Sequence, residues 1–243
     1  MRIIKLLVVI LLVFVIIVSF GFAYLKASAQ NTGSNYFNNN LRYKFARYPV
    51  ARKILGLHFD GDAKADYLGN RYQNITIKII SMNGLGISDE TAKVFSKRVE
   101  NITGKKTKYL FYPSIPYKSL MGAEELRKSL GAMGSSRDAA IYVFVVSQDA
   151  DSGILGSTVL ENGIGLFKNS LANDMRMDSE ENVDSYVASL LLHEFGHQIG
   201  LGHNSVSGCL MNERTEFSDG GRLLEKIGDF CEFEKKQIKN SIL

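Results

Sequence analysis

The chain has 243 residues, 45% of them apolar, enough to bury one substantial core and to carry a short appendage. Its formal charge is +4, but Arg2, Lys5 and Lys26 lie in or beside an N-terminal apolar stretch, and without those three the remainder carries only +1. The basic balance thus belongs to the leader and implies no nucleic-acid partner. Two cysteines are too few for a disulfide framework and enough for one bridge.

Arg2 and Lys5 precede an apolar run from Leu6 to Leu25 that is broken only by Ser19 and Gly21. Lys26-Ala27-Ser28-Ala29-Gln30 follows, and an Ala-x-Ala ending fits a secretory signal cleaved after Ala29. The run is also long enough to span a bilayer, so residues 1–29 read as a signal peptide or as a retained anchor. Lys26, Arg42 and Lys44 on one side balance Arg2 and Lys5 on the other, which leaves orientation unset by charge. Export is the simpler account of such a leader and places the rest of the chain outside the cytoplasm, secreted or membrane-anchored.

Residues 30–73 read as a stalk or linker. Gln30 to Asn40 is rich in Asn, Ser and Gly and predicts a flexible tether. From Leu41 to Lys53 basic residues interleave with Tyr43, Phe45 and Tyr48. Such a segment could touch anionic headgroups, or it could pack its aromatics on the domain that follows. Asp60, Asp62 and Asp66 read as a solvated acidic loop.

A domain of α+β (mixed α/β) class is expected over residues 74–243. Ile75, Ile77 and Ile79 alternate with polar residues and predict a strand from Asn74 to Ser81. Asn83-Gly84 turns the chain, and Ser88 or Asp89 caps a helix to about Thr103. Lys108 to Tyr112 is a second strand; Pro113 and Pro116 open an irregular stretch, with a short helical segment near Glu124 to Leu130. Ala139 to Ser147 is almost continuously apolar and reads as a strand buried on both faces. Leu155 to Leu160 and Gly163 to Asn169 flank a turn and look like the last two strands. Asp178 then caps a helix, with Glu181 completing a capping box, and Val187 to Leu192 is apolar on most sides, as in a helix under a sheet. A final helix is expected from about Leu223 to Ser241.

Within the helix that Asp178 begins, His193-Glu194-Phe195-Gly196-His197-Gln198-Ile199-Gly200-Leu201-Gly202-His203 forms the pattern HExxHxxGxxH. His193 and His197 are four apart, on one helix face, and can share one metal ion. Glu194 stands about 100° round the same helix, beside the ion and free to handle a proton. Gly200 can take the positive φ that ends a helix, which lets His203 return as a third nitrogen ligand. Three neutral imidazoles around Zn²⁺ leave a fourth position open, as in a catalytic site. Chance supplies a bare HExxH in roughly 1% of chains this long and the full pattern in about one in 10⁵.

This motif resembles that of the metzincin metallopeptidases, whose members carry a Met-turn beneath the zinc. Met211 stands eight residues after His203, the spacing of matrixins and archaemetzincins. Cys209 and Cys231 resemble archaemetzincins more specifically. Those proteins bind a second, structural zinc through four cysteines, and here Asn204 and Glu234 stand where the first and last would fall. The resemblance implies a metzincin-type catalytic domain: a twisted sheet of roughly five strands, a ligand-bearing helix, a Met-turn and a C-terminal helix, preceded by the N-terminal hydrophobic helix. With their usual zinc partners missing, Cys209 and Cys231 are expected to pair as a disulfide that ties the Met-turn to the last helix.

The resemblance further implies a zinc peptidase with a peptide or protein substrate, one catalytic Zn²⁺ and Glu194 as general base. Met211 would be an apolar floor under the three histidines rather than a ligand. Substrates would add as a strand to a sheet edge near Gly156 to Leu160. Asp149 and Asp151 could bind Ca²⁺ as loops of matrixins do, or form an ordinary solvated loop. No cysteine precedes Cys209, which excludes latency through a pro-segment thiol. A monomer is expected. Two other readings stay open: a non-catalytic zinc module that binds a peptide in the same cleft, and an aminopeptidase rather than an endopeptidase.

Overall fold

A computed structural model describes residues 2–30, 35–82, 84–115, 126, 129–130, 133, 139–147, 155–168, 180–212 and 229–240. The chain divides into two compact units, Met1–His58 and Phe59–Leu243.

The first unit opens with helix α1, Arg2–Gln30. Its stretch Ile4–Ala29 is 26 residues long with an apolar window of mean hydropathy 3.3, none of that window buried, so by length and composition it could cross a membrane. The segment expected to be a flexible tether is partly ordered. A π-helical turn covers Phe37–Leu41, and α2 (Arg42–Phe45) and α3 (Pro49–Leu55) follow. Two interactions hidden in a polar composition account for the difference. Phe37 is buried and stacks on Phe45 with ring centroids 5.7 Å apart, and the Asn35 side chain donates to the Ser28 carbonyl while accepting from the Asn38 amide. Pro49 stands in the first turn of α3, and Gly56, at φ 64°, ends that helix.

The second unit begins earlier than the 74–243 range suggests. Helix α4, Lys64–Leu68, buries Tyr67 and Leu68. The Tyr67 hydroxyl donates to the Ala140 carbonyl at 2.9 Å, and its ring lies 5.4 Å from that of Phe195. Burial pushes this phenol well above its ordinary range and keeps it a neutral donor. A five-residue helix is too short to register as periodicity, so only the tertiary contact reveals it.

Five strands form one sheet in the order β2-β1-β3-β5-β4, with β1 at Asn74–Met82, β2 at Lys106–Ile115, β3 at Ala139–Val146, β4 at Gly156–Val159 and β5 at Gly163–Phe167. All neighbours are parallel except β4, which runs antiparallel to β5. Strand β2 runs on through Pro113, which an edge strand tolerates because one side of its backbone needs no partner. Central β3 is buried at all its positions. One sheet face, with Ile77, Ile141 and Ile164, packs on α5 (Asp89–Thr103) and α6 (Glu180–Gln198). The other face, with Ile80, Phe144 and Phe167, takes Leu126 and Leu130.

Ser88 caps α5 by accepting from the Thr91 amide, and Ser88 and Thr91 both donate to Asp184 of α6. Arg98 donates to the buried Ser189 hydroxyl at 2.7 Å, a second polar tie between the two helices. Helix α7 spans Glu232–Asn240. The capping pair Asp178 and Glu181, the carboxylates Asp149 and Asp151, most of the segment Glu124–Leu130 and the first part of the expected last helix lie outside the described residues and side chains.

Candidate metal centre

Helix α6 carries His193 and His197 on its buried face, and Gly200, at φ 91°, follows its end. Reversal there brings His203 back: its Nε2 lies 3.2 Å from His193 Nε2 and 3.0 Å from His197 Nε2. Each partner imidazole is oriented by a backbone carbonyl. His193 Nδ1 lies 2.7 Å from the Leu210 oxygen and His197 Nδ1 lies 2.9 Å from the Leu201 oxygen. A carbonyl only accepts, so each Nδ1 carries the proton and each Nε2 keeps a lone pair.

Lone pairs facing one another at such distances repel unless a cation lies between them. Tetrahedral ligands at Zn–N distances of about 2.0–2.1 Å stand about 3.3 Å from each other. The donor set, its tautomers and its spacing therefore fit a Zn²⁺ held by His193, His197 and His203, a group whose ligand atoms lie within 4.8 Å of one another.

Glu194 is buried next along the helix. The Thr158 hydroxyl, on β4, donates to Glu194 Oε2 at 2.8 Å and also approaches the Glu194 carbonyl at 3.1 Å. A methyl group on Gly156 would stand 3.1 Å from Glu194 Oε1, so the bare backbone there makes room for the carboxylate. Neither β4 residue carries a motif signal, and their role follows from the sheet placing its edge strand over α6.

The other contributors come from the segment read as a solvated loop. The Gly61 amide donates to the His197 carbonyl at 2.8 Å, alongside the Gly200 amide at 2.9 Å. Two donors thus satisfy a carbonyl in the last turn of α6. Asp60 Oδ2 lies 3.5 Å from His197 Nδ1. Gly61 and Gly200 cross so closely that a Cβ on Gly61 would come within 3.0 Å of the Gly200 Cα.

Beneath the histidines, Met211 is fully buried. A side chain at Gly196 would fall on its sulfur, which explains the glycine between Glu194 and His197. Cys209 and Cys231 are joined in a disulfide with Cα atoms 5.2 Å apart, linking the Met211 segment to the start of α7. The buried Glu234 carboxylate completes this corner. It accepts from the Asn204 side chain at 2.6 Å, the Met211 amide at 3.1 Å and the Cys231 amide at 2.8 Å. The last contact is half of a capping box for α7, since Glu234 stands at the third helical position and Cys231 just before the first. Sequence had marked Asn204 and Glu234 only as departures from a cysteine pattern; their hydrogen bond to each other is new.

No family model matches the chain, and no curated protein matches it. Among solved structures, an archaemetzincin from Methanopyrus kandleri is similar at 17% identity and a TM-score of 0.55, over 71% of this chain and 98% of that one. A zinc-dependent peptidase from Methanocorpusculum labreanum (14% identity, TM-score 0.47, 67% and 99% covered) and an archaemetzincin from Archaeoglobus fulgidus (17%, 0.43, 68% and 99%) also match. The first of these likenesses carries the fold: the second unit is built as an archaemetzincin-like α/β domain.

Proposed function

We propose that the chain is a zinc-dependent peptidase, with His193, His197 and His203 as metal ligands and Glu194 as general base. The observation that carries this reading is the convergence of three oriented imidazole nitrogens beside a buried carboxylate. A bound Zn²⁺ would lower the pKa of a coordinated water far below that of bulk water, towards neutrality, and polarise the scissile carbonyl. The Glu194 carboxylate takes the proton as that carbonyl is attacked and returns it to the leaving amine. Thr158 holds one oxygen of the carboxylate through its hydroxyl and so fixes the rotamer in which the other can act. Leu210 and Leu201 carbonyls hold the ring planes of His193 and His197. Met211 closes the floor, and Gly196 admits it.

Strand β4 ends the sheet among the described residues, and it is the strand whose Gly156 and Thr158 meet Glu194. An extended peptide pairing along that edge would present its main-chain carbonyls to the site, with backbone hydrogen bonds supplying affinity. One catalytic ion is the expected complement, because the neighbouring group of Cys209, Cys231 and Glu234 has its sulfurs bonded to each other and its carboxylate held by three donors.

The leader is proposed to remain attached as a membrane anchor. The bond after Ala29 joins the last two residues of helix α1, and Ala29 is buried with its carbonyl held by Arg42, whereas a processing peptidase needs an extended, accessible segment. Intact mass of the membrane-extracted protein distinguishes a chain that keeps residues 1–29 from one that has lost them.

A mixed-peptide cleavage assay tests the activity. Cleavage is expected with zinc, lost with chelator, and lost in a Glu194→Ala protein that still binds zinc. Unchanged turnover in zinc-replete Glu194→Ala removes the base assignment.

A further inference from the structure

The first unit carries a charge and surface pattern that the peptidase reading does not use. The first acidic residue of the chain is Asp60; eight lysines and arginines precede it. The remainder of the chain holds more Asp and Glu than Lys and Arg. Cationic character is therefore confined to α1 and the short helices after it.

Those helices also sort their apolar side chains. Phe37, Leu55 and Leu57 are buried, and Phe37 stacks on Phe45. Tyr36, Tyr43 and Tyr48 are instead 72%, 74% and 63% exposed, and Val50 is 71% exposed. Lys44 and Lys53 are exposed on α2 and α3, and Arg47 is exposed in the turn between them. The aromatics of this segment are thus not all needed to close it, and those left outside are the amphipathic ones. Arg42 fixes the arrangement at the end of α1: its guanidinium donates to the Ala29 carbonyl at 3.1 Å and to the His58 carbonyl at 2.9 Å. A cation on the last turn of a helix also suits the helix dipole.

We propose that this collar, formed by Tyr36, Tyr43, Tyr48 and Val50 with Lys44, Arg47 and Lys53, docks on the anionic phospholipid surface of the bilayer that α1 enters. The inference rests on the proposed membrane anchor. Tyrosine rings suit the headgroup level because one end is apolar and the other wet. A basic segment beside a membrane span gains attraction from anionic lipids that decays within a Debye length. Uncharged lipid offers the tyrosines the same interface without that attraction, so binding should depend on lipid charge.

The chain contains no tryptophan, so a single indole reports the collar without background. Full-length Tyr43→Trp protein is reconstituted in vesicles of phosphatidylcholine alone and of phosphatidylcholine with phosphatidylglycerol, each with and without brominated lipid. Val50→Trp serves as a second reporter. Emission is expected to shift to the blue and to be quenched by bromolipid in the anionic vesicles, and both effects should fade at high salt. Replacing Lys44, Arg47 and Lys53 by Gln should weaken surface docking about a hundred-fold, roughly five-fold per charge.

Carbonate extraction of the same vesicles reads the anchor separately. A chain that resists extraction while its indole stays water-exposed in both lipids overturns the collar and leaves the anchor standing. Extraction together with a lipid-dependent blue shift rejects the anchor and supports the collar. An indole shielded equally in both lipids and untouched by bromolipid means that protein covers the surface, which also overturns the proposal.

Discussion

Two three-residue clusters of metal-binding side chains flank the Met211 segment, and they are built in opposite ways. In the first, His193, His197 and His203 turn their Nε2 atoms on one point while carbonyls occupy the Nδ1 protons of two rings. In the second, Cys209 and Cys231 are bonded to each other, and Glu234 accepts from three donors. One set has lone pairs converging at a spacing that suits Zn²⁺; the other has its donor atoms engaged within the protein. Residue type alone does not make a metal site: what the remaining hydrogen-bonding capacity is doing decides.

The largest effect is expected at Glu194: Glu194→Ala should lower kcat/KM about a thousand-fold, about 4 kcal/mol of barrier, with zinc content unchanged by mass spectrometry. In the closed cluster, Cys209→Ser with Cys231→Ser should cost about 3 kcal/mol of stability, the contribution of a bridge closing a loop of this length, with one zinc per chain before and after. A second equivalent of tightly bound zinc in the reduced wild type would show that the cluster is a metal site when its sulfurs are released.

Glu234→Ala strands the buried Met211 amide and two partly buried donors on Asn204 and Cys231, and should cost about 2–3 kcal/mol in chemical denaturation. The smallest effect is expected at Thr158. Thr158→Val removes the hydroxyl from the Glu194 carboxylate and should lower kcat about ten-fold with KM and zinc content nearly constant, while Thr158→Ser restores it. An equal loss in the Ser variant would make the contact one of packing.

How far these parts were legible in sequence follows from the range of the interaction behind each. Ile75, Ile77 and Ile79 announce β1 because residues two apart on a strand share one face, here the face packed on α5 and α6. Ser88 announces α5 because a cap acts over three residues. His193, His197, Gly200 and His203 are readable because one helix turn and one reversal set their spacing. Gly156 and Thr158 read in sequence only as part of the expected edge strand; their link to Glu194 spans more than thirty residues and depends on the sheet order. Asp60 and Gly61 look like ordinary loop in sequence because a backbone approach to Gly200 has no periodic signature. Glu234 could have been found, since an acid three residues after Cys231 at a helix start is half of a capping box. The ordering of Phe37–Leu41 is not legible in sequence because an Asn-rich composition masks the stacking of Phe37 on Phe45.

Zinc K-edge absorption fine structure on the protein loaded with one equivalent of Zn²⁺ tests the difference between the clusters directly. The account predicts a shell of nitrogen and oxygen only, at about 2.0–2.1 Å, with the outer-shell pattern of three imidazoles. A sulfur shell at about 2.3 Å would place the ion at Cys209 and Cys231 and contradict it.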